Sequence, residues 1–518
     1  MHPRMRLISI LVFVLALAFA LRVGLMQQQS LDEDEVGSLA LATGHYLDYV
    51  HVPPQTARGA APCVIGKPTE ARNLQRLMQH ENPPVAPDEE LKLCWNGDVV
   101  PGLYYFLLYL WTLVFGCSDG ALRGLSLVFS LACMPLIWCV CRQVGTRTAA
   151  VFACLFFATN PICVDYSIEG RMYSLLWLGS LCITHASLRL HRLGLKRATL
   201  TAWIVSSILG LWTHLFFLLI YLSCVIWLWI YPGRSRSNHL LMWLLLPFVA
   251  IAPWYWHLFS LITQGNSPLL GWLNGRSDIA HHLWGPLSNL ASVAGATGRA
   301  MIPLTMCLGI IACGLLWKPG ALLPRRQLLY LIVVLAFAGP FAIDLVKGSH
   351  TALITRYTFG ALPAVMILLG VGLTKHRLPI RSILVSLVIP LYLFALRDSF
   401  WFRARGWEPF QPIGAFVAQN MQPNDVVVSQ APALCFSLGI ARYSPANVLV
   451  TAAPDWSVPY LDTTQIIGTA PRALLVQFLY RNTPTKIESF FRTHMTLPDH
   501  QPELEQESTH TKLLLFEK

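Results

Sequence analysis

The chain has 518 residues, of which 54% are hydrophobic and only 13% charged, with a formal net charge of +11. A soluble domain carries about 25% charged residues, so the composition excludes an ordinary soluble protein. The positive balance would suggest a polyanion such as nucleic acid, but its placement excludes that. The bases collect in four short acid-free loops: Arg189, Arg192, Lys196 and Arg197; Arg234 and Arg236; Lys318, Arg325 and Arg326; Lys375, Arg377 and Arg381. This is the pattern of cytoplasmic loops in a membrane protein.

In chain order, Arg4 and Arg6 precede an apolar run over 7–21 that leads into Arg22 and three glutamines, with no small-residue cleavage site. The reading is an uncleaved first span with a cytoplasmic N-terminus rather than a removed signal peptide. Further candidate spans are 102–117, 122–141, 148–164, 171–188, 200–231, 240–257, 295–317, 328–346, 356–373 and 380–396. Long apolar runs in lipid must be helical, because every backbone amide has to be satisfied internally. The run 200–231 is too long for one crossing of a core about 30 Å thick, so it predicts two spans with Trp212, Thr213 and His214 at the turn. The total is about twelve, and here a conflict arises. If every segment crosses, the basic loops cannot all share one side. Either 102–117 lies at the interface or re-enters, or one span is uncounted.

Between the first two segments, residues 27–101 hold eleven acids against five bases, and a loop this long is usually functional. Cys63 and Cys94 lie in it and could pair if it faces an oxidising compartment; most other cysteines lie in apolar runs. From 397 onward the pattern changes. Segments 425–429, 448–451, 473–477 and 512–516 read as short strands bounded by Pro, Asn and Asp. The expected organisation is a transmembrane domain over 1–396 and a small soluble α/β domain over 397–518.

Four constellations could carry chemistry. Asp32-Glu33-Asp34-Glu35 follows the first span, either as a solvated turn or as a carboxylate held at the membrane surface as base or metal ligand. Glu169-Gly170-Arg171-Met172-Tyr173 lies between two apolar runs, either as an interfacial ion pair with an aromatic anchor or with Arg171 receiving a phosphate. Thr213-His214 forms a polar tip within a long apolar run, where a lone histidine is commonly a turn residue. Arg356-Tyr357 opens a late apolar segment, where an arginine either snorkels or faces inward at a substrate site.

Taken in order, these pieces resemble the polytopic C-type (GT-C) glycosyltransferases, in particular bacterial relatives of the protein O-mannosyltransferases and of the lipid A aminoarabinose transferase. Asp34-Glu35 stands where that family has an Asp-Glu pair after the first span. Pro101-Gly102-Leu103-Tyr104-Tyr105 matches its Pro-x-Leu-Tyr-Tyr segment opening a span, and Glu169 to Tyr173, Thr213-His214, Arg356-Tyr357 and Pro363 follow. A departure is Val99-Val100-Pro101-Gly102 where relatives often have His-Pro-Pro before the Leu-Tyr pair.

The resemblance implies an inverting transfer of a sugar from a polyprenyl-phosphate donor to a hydroxyl of a glycolipid, glycan or protein, at the extracytoplasmic face of a bacterial inner membrane. Asp34 is the implied base. Arg171 and Arg356 would bind the lipid phosphate, and Glu35 and Glu169 would orient hydroxyls or the arginines. Tyr173, His214 and Tyr357 complete the expected substrate-binding set. The acidic cluster permits a divalent cation without demonstrating one. A secondary transporter would favour internal repeats and interrupted spans, which the sequence does not show. A polymerase or ligase of lipid-diphosphate glycans would place its key bases in a late loop.

Overall fold

The computed structural model describes residues 3–26, 30–45, 67–96, 100–263, 279–317, 323–404, 409–430, 434–453, 470–478, 486–497 and 511–517. The helices run, in order, α1 (Pro3–Met26), α2 (Glu33–Ala42), α3 (Ala71–Arg76), α4 (Pro87–Asn96), α5 (Leu103–Phe115), α6 (Asp119–Val144) and α7 (Arg147–Thr159). Next come α8 (Pro161–Tyr166), α9 (Tyr173–Leu193), α10 (Arg197–Leu211), α11 (Phe217–Ile230), α12 (Leu240–Thr263) and α13 (Ile279–Val293). After these follow α14 (Met301–Trp317), α15 (Leu323–Lys347), α16 (Leu362–Leu373), α17 (Leu378–Ala404), α18 (Phe410–Asn420), α19 (Leu434–Tyr443) and α20 (Lys486–His494). Five strands complete the fold: β1 (Thr69–Glu70), β2 (Val426–Ser429), β3 (Leu449–Ala452), β4 (Arg472–Phe478) and β5 (Thr511–Glu517).

The chain divides into two compact units. One holds residues 1–27, 98–104 and 123–399; the other holds 28–97, 105–122 and 400–518. This differs from the expected division at 396/397, because the first loop folds with the tail. Its strand β1 pairs antiparallel with β3, Thr69 opposite Val450, and the Ala71 and Arg72 amides donate to the Val448 and Ala446 carbonyls.

The first unit is a helical bundle. Among the described residues, seven helices are long and apolar enough to cross a membrane, with α7, α10 and α11 shorter but equally apolar. The conflict over parity turns on α5. At 13 residues it has the same length as α7, so what sets it apart is its bonding and not its reach. Its far end and the following turn are tied to the first loop and the tail: Tyr109 donates to Val85 O, His80 pairs with Thr112, and Arg442 binds Asp119. Most of α5, residues 105–115, thus belongs to the loop and tail unit, which sets it apart from the helices of the bundle. α13 is likewise marked by its bonds. Asn289 in its middle bonds Ala352 and Thr355 beyond the end of α15, and Asn160 at the end of α7 donates to Val293 O. Counting α1, α6, α7, α9, α10, α11, α12, α14, α15, α16 and α17 as the crossings would put all four basic loops on one side.

Two other boundaries moved for local reasons. The expected span 148–164 breaks at Asn160, whose side chain caps α8 by accepting from Cys163 N, with Pro161 at the first helical position. The expected span opening at Arg356 begins instead with a 3₁₀ turn, Thr355–Ala361, and α16 starts only at Leu362.

The second unit carries a five-stranded sheet in the order β1-β3-β2-β4-β5, with β3, β2 and β4 parallel and both edges antiparallel. The four strands expected in the tail are present within a residue or so of their expected limits. One face packs Val426, Val428, Leu475, Leu514 and Phe516 against Ile487 and Phe491 of α20.

Candidate active site

Within the bundle, the turns opposite the basic loops bring together most of the expected residues. Between α8 and α9, the Arg171 amide donates to Glu169 O at 2.7 Å, a tight turn that fixes both side chains close to the start of α9. The Arg171 carbonyl accepts from Ser126 Oγ at 3.1 Å, and Ser126 is in turn 2.9 Å from Tyr104 Oη. A tyrosine of the Pro-x-Leu-Tyr-Tyr segment thus braces the arginine turn. Glu169 and Tyr173 are buried, whereas Arg171 is only half-buried.

His214 is buried in the turn between α10 and α11. That turn is also pinned to the start of α5, where Leu103 N donates to Trp212 O at 3.2 Å. The rings then run in series. Tyr173 lies 6.4 Å from His214, His214 lies 5.9 Å from Phe216, and Phe216 stacks on Tyr357 at 4.7 Å. Burial, reinforced by the positive charges of Arg171 and Arg356, pushes the His214 pKa down to about 3. An imidazole so placed is neutral at any physiological pH, so it offers hydrogen bonds and not charge. The pair of arginines that acts on it concentrates positive potential where an anion would be held.

Arg356 and Tyr357 sit on the 3₁₀ turn before α16, and this turn is held from behind by residues that the sequence reading missed. Asp344 at the end of α15 is buried and accepts from Ser349 Oγ, Thr351 N and Ala352 N at 2.6–2.7 Å. Asn289 donates to Ala352 O and accepts from Thr355 Oγ1, each at 2.7 Å, and Ser180 of α9 donates to Gly360 O. Asp344 was visible as a lone acid in an apolar run, a signal worth following. Beneath the turns, Tyr166, Tyr173 and Phe359 pack edge to face, and Trp177 lies tilted against Phe359.

Asp34 belongs to the other unit and lies in the first turn of α2, half-buried. Asp32 is the N-cap: its carboxylate accepts from Glu35 N at 2.7 Å, and Glu35 returns the bond to Asp32 N at 3.1 Å. This capping box gives Glu35 a structural duty in addition to the expected orienting one, and it leaves Glu33 and Asp34 as the two acids of the cluster outside the box. The helix is fixed along its length. Leu31 N donates to Tyr443 Oη, Gly37 lies against Cys435 of α19, where an added Cβ would stand 3.2 Å from the sulfur, and Thr43 Oγ1 donates to Leu77 O.

Among the described residues, no group of three or more His, Cys, Asp and Glu side chains is arranged to hold a metal. Cys94 is a buried thiol that donates to Glu90 at 3.4 Å, and Cys63 lies outside the described residues.

With this geometry, the chain is similar to the crystal structure of ArnT from Cupriavidus metallidurans bound to undecaprenyl phosphate. The TM-score is 0.54 at 11% identity, over 98% of this chain and 97% of that one. The apo state of the same protein gives 0.55 at 12% identity over the same shares. No family model and no curated protein matches the sequence. The likeness is one of fold: the chain is a polytopic helical membrane protein with a small C-terminal sheet, and it shares the fold of the ArnT structure.

Proposed function

We propose that the protein is a membrane glycosyltransferase that moves a sugar from a polyprenyl-phosphate donor to a hydroxyl acceptor, with inversion, at the extracytoplasmic face of a bacterial inner membrane. The observation that carries this reading is the turn cluster of the bundle. The ring series Tyr173, His214, Phe216 and Tyr357 joins the turns that carry Arg171 and Arg356, in a fold shared with a protein seen bound to undecaprenyl phosphate. The membrane side follows from the basic loops, which assign the opposite face to these turns.

In the proposed reaction the acceptor hydroxyl attacks the anomeric carbon, and the bond to the lipid phosphate oxygen breaks with its electrons. A phosphate is already a good leaving group and needs little acid help, so one carboxylate suffices as base. Asp34 takes the hydroxyl proton. Arg171 and Arg356 bind the donor phosphate and stabilise the charge that grows on it as the bond breaks. Glu35 and Glu169 orient the arginines and substrate hydroxyls, while Tyr173, His214 and Tyr357 line the donor's path.

The test is transfer from radiolabelled polyprenyl-phosphate sugars to membrane extract by the purified protein, comparing wild type with Asp34→Asn. A loss of at least 100-fold in turnover, with donor binding retained, is expected for a lost general base. Equal transfer by both proteins would remove Asp34 from the role, and no transfer by wild type with any donor would remove the enzyme reading. Cysteine labelling of the first loop, accessible only from the cytoplasm, would overturn the assigned face.

A further inference from the structure

The loop and tail unit contains an open cleft of about 850 Å³ between the end of α3, the α5–α6 turn and the end of α19. Its charges are already matched. Arg442 Nε and Nη2 both donate to Asp119 Oδ1, at 2.8 and 2.6 Å, and Nη2 also donates to Cys117 O at 2.8 Å. Tyr443 Oη donates to Asp119 Oδ2 at 2.5 Å. Burial holds His80 below its ordinary value and so neutral. A phosphate or carboxylate entering here would have to compete with Asp119 for a guanidinium already engaged, and would gain little for its own desolvation.

What remains in the lining is neutral hydrogen-bonding capacity. Gln75 donates its amide hydrogens to the Ala441 and Ser444 carbonyls, which leaves its Oε1 to accept. Gln79 is exposed and can both donate and accept. Ser118 Oγ accepts from Ala121 N, which leaves its own hydrogen to donate. The Cys117 side chain and the Tyr443 ring supply apolar surface beside these groups. Uncharged donors and acceptors mixed with apolar patches suit a ligand dense in hydroxyls with C–H faces.

We infer that this cleft binds a neutral saccharide, and that the saccharide belongs to the acceptor. The second clause rests on the transferase reading; the first does not. The cleft is also coupled to the proposed base. Tyr443 Oη, on its wall, accepts from Leu31 N at 3.0 Å, and Asp34 lies one helical turn further along the chain.

The experiment is saturation-transfer NMR on the full chain in nanodiscs. Maltotriose and diacetylchitobiose serve as neutral probes and trigalacturonate as an anionic one. Saturable transfer to at least one neutral probe is expected, weakened tenfold or more in Gln79→Ala and Ser118→Ala. Gln79 is exposed, so its replacement leaves the fold intact, and unchanged thermal unfolding confirms it. Asp34→Asn should bind the probe as wild type does. The inference fails if neither neutral probe binds, if trigalacturonate binds more tightly than both, or if the two cleft variants bind unchanged. Saccharide binding by a wild type that transfers no sugar would keep the cleft and remove the transferase reading, so the two failures are distinct.

Discussion

The helical bundle and the loop and tail unit handle charge differently. The bundle engages two of its buried charged groups with three or more hydrogen bonds each. Arg22 is wholly buried in α1, where it donates to Ser130 Oγ and to the carbonyls of Ala18, Phe157 and Ala158, the last two at the end of α7. Asp344 likewise accepts three hydrogen bonds from the segment that precedes Arg356. The loop and tail unit instead uses caps and partly exposed ion pairs, such as Asp32 with Glu35, Asp119 with Arg442, and Glu488 with Arg492. Where no water reaches, a charged side chain must be fully hydrogen-bonded, so saturation marks a structural role. The half-buried charges Arg171, Arg356 and Asp34 are the ones to which the proposed reaction gives roles.

The sharpest way to break this contrast is Asp344→Ala. Three buried donors would lose their acceptor, and a loss of roughly 3–5 kcal/mol is expected. The matching readout is unfolding in detergent together with a rise in donor KM, because the Arg356 turn is released. An unchanged donor KM would show that the turn does not position the arginine. Next comes Arg22→Met, similar in length but without donors. It leaves the terminal carbonyls of α7 unsatisfied and should cost about 2–3 kcal/mol, with transfer activity per folded molecule unchanged. Loss of activity in a protein of normal stability would move Arg22 from the scaffold to the site.

Tyr443→Phe tests the other unit. It removes the donor to Asp119 and the acceptor for Leu31 N, for a cost of about 1–3 kcal/mol and a drop in acceptor turnover larger than in donor binding. The smallest effect concerns Glu90 on α4, buried without a charged partner among the described residues, its pKa pushed up to about 7 by desolvation. The folded state binds one proton more than the unfolded state between about pH 4.5 and 7. Stability should therefore fall as pH rises through that window, with a slope of at most about 1.4 kcal/mol per pH unit. Glu90→Gln, measured by thermal unfolding from pH 5 to 8, should flatten that slope and stabilise the protein most at the alkaline end. A slope unchanged by the substitution would assign the titration to another group.

The strands of the tail, the apolar segments and the basic loops were legible because each is written locally: alternation, turn residues, runs of apolar side chains and charge between them. The acidic cluster was legible as a cluster for the same reason, but its internal roles were not. Which of four neighbouring acids caps the helix depends on where the helix begins, and that placed Asp32 and Glu35 in the capping box and left Glu33 and Asp34 outside it. The apolar length of 102–117 also looked like a crossing. Only its bonds to Val85 and His80 showed that most of it folds with the loop and tail.

The sequence by itself determined the membrane class, the orientation implied by the basic loops, the tail strands and the acids and arginines worth testing, since hydropathy and charge act through neighbouring residues. The tertiary structure alone decided what depends on distant partners. A two-residue strand at Thr69–Glu70 pairs with one about 380 positions away. The Arg171 turn is braced by Tyr104 through Ser126, and the Arg356 turn by Asp344 and Asn289. Side chains so far apart in the chain meet only when the whole bundle packs, and no local pattern encodes which of them will.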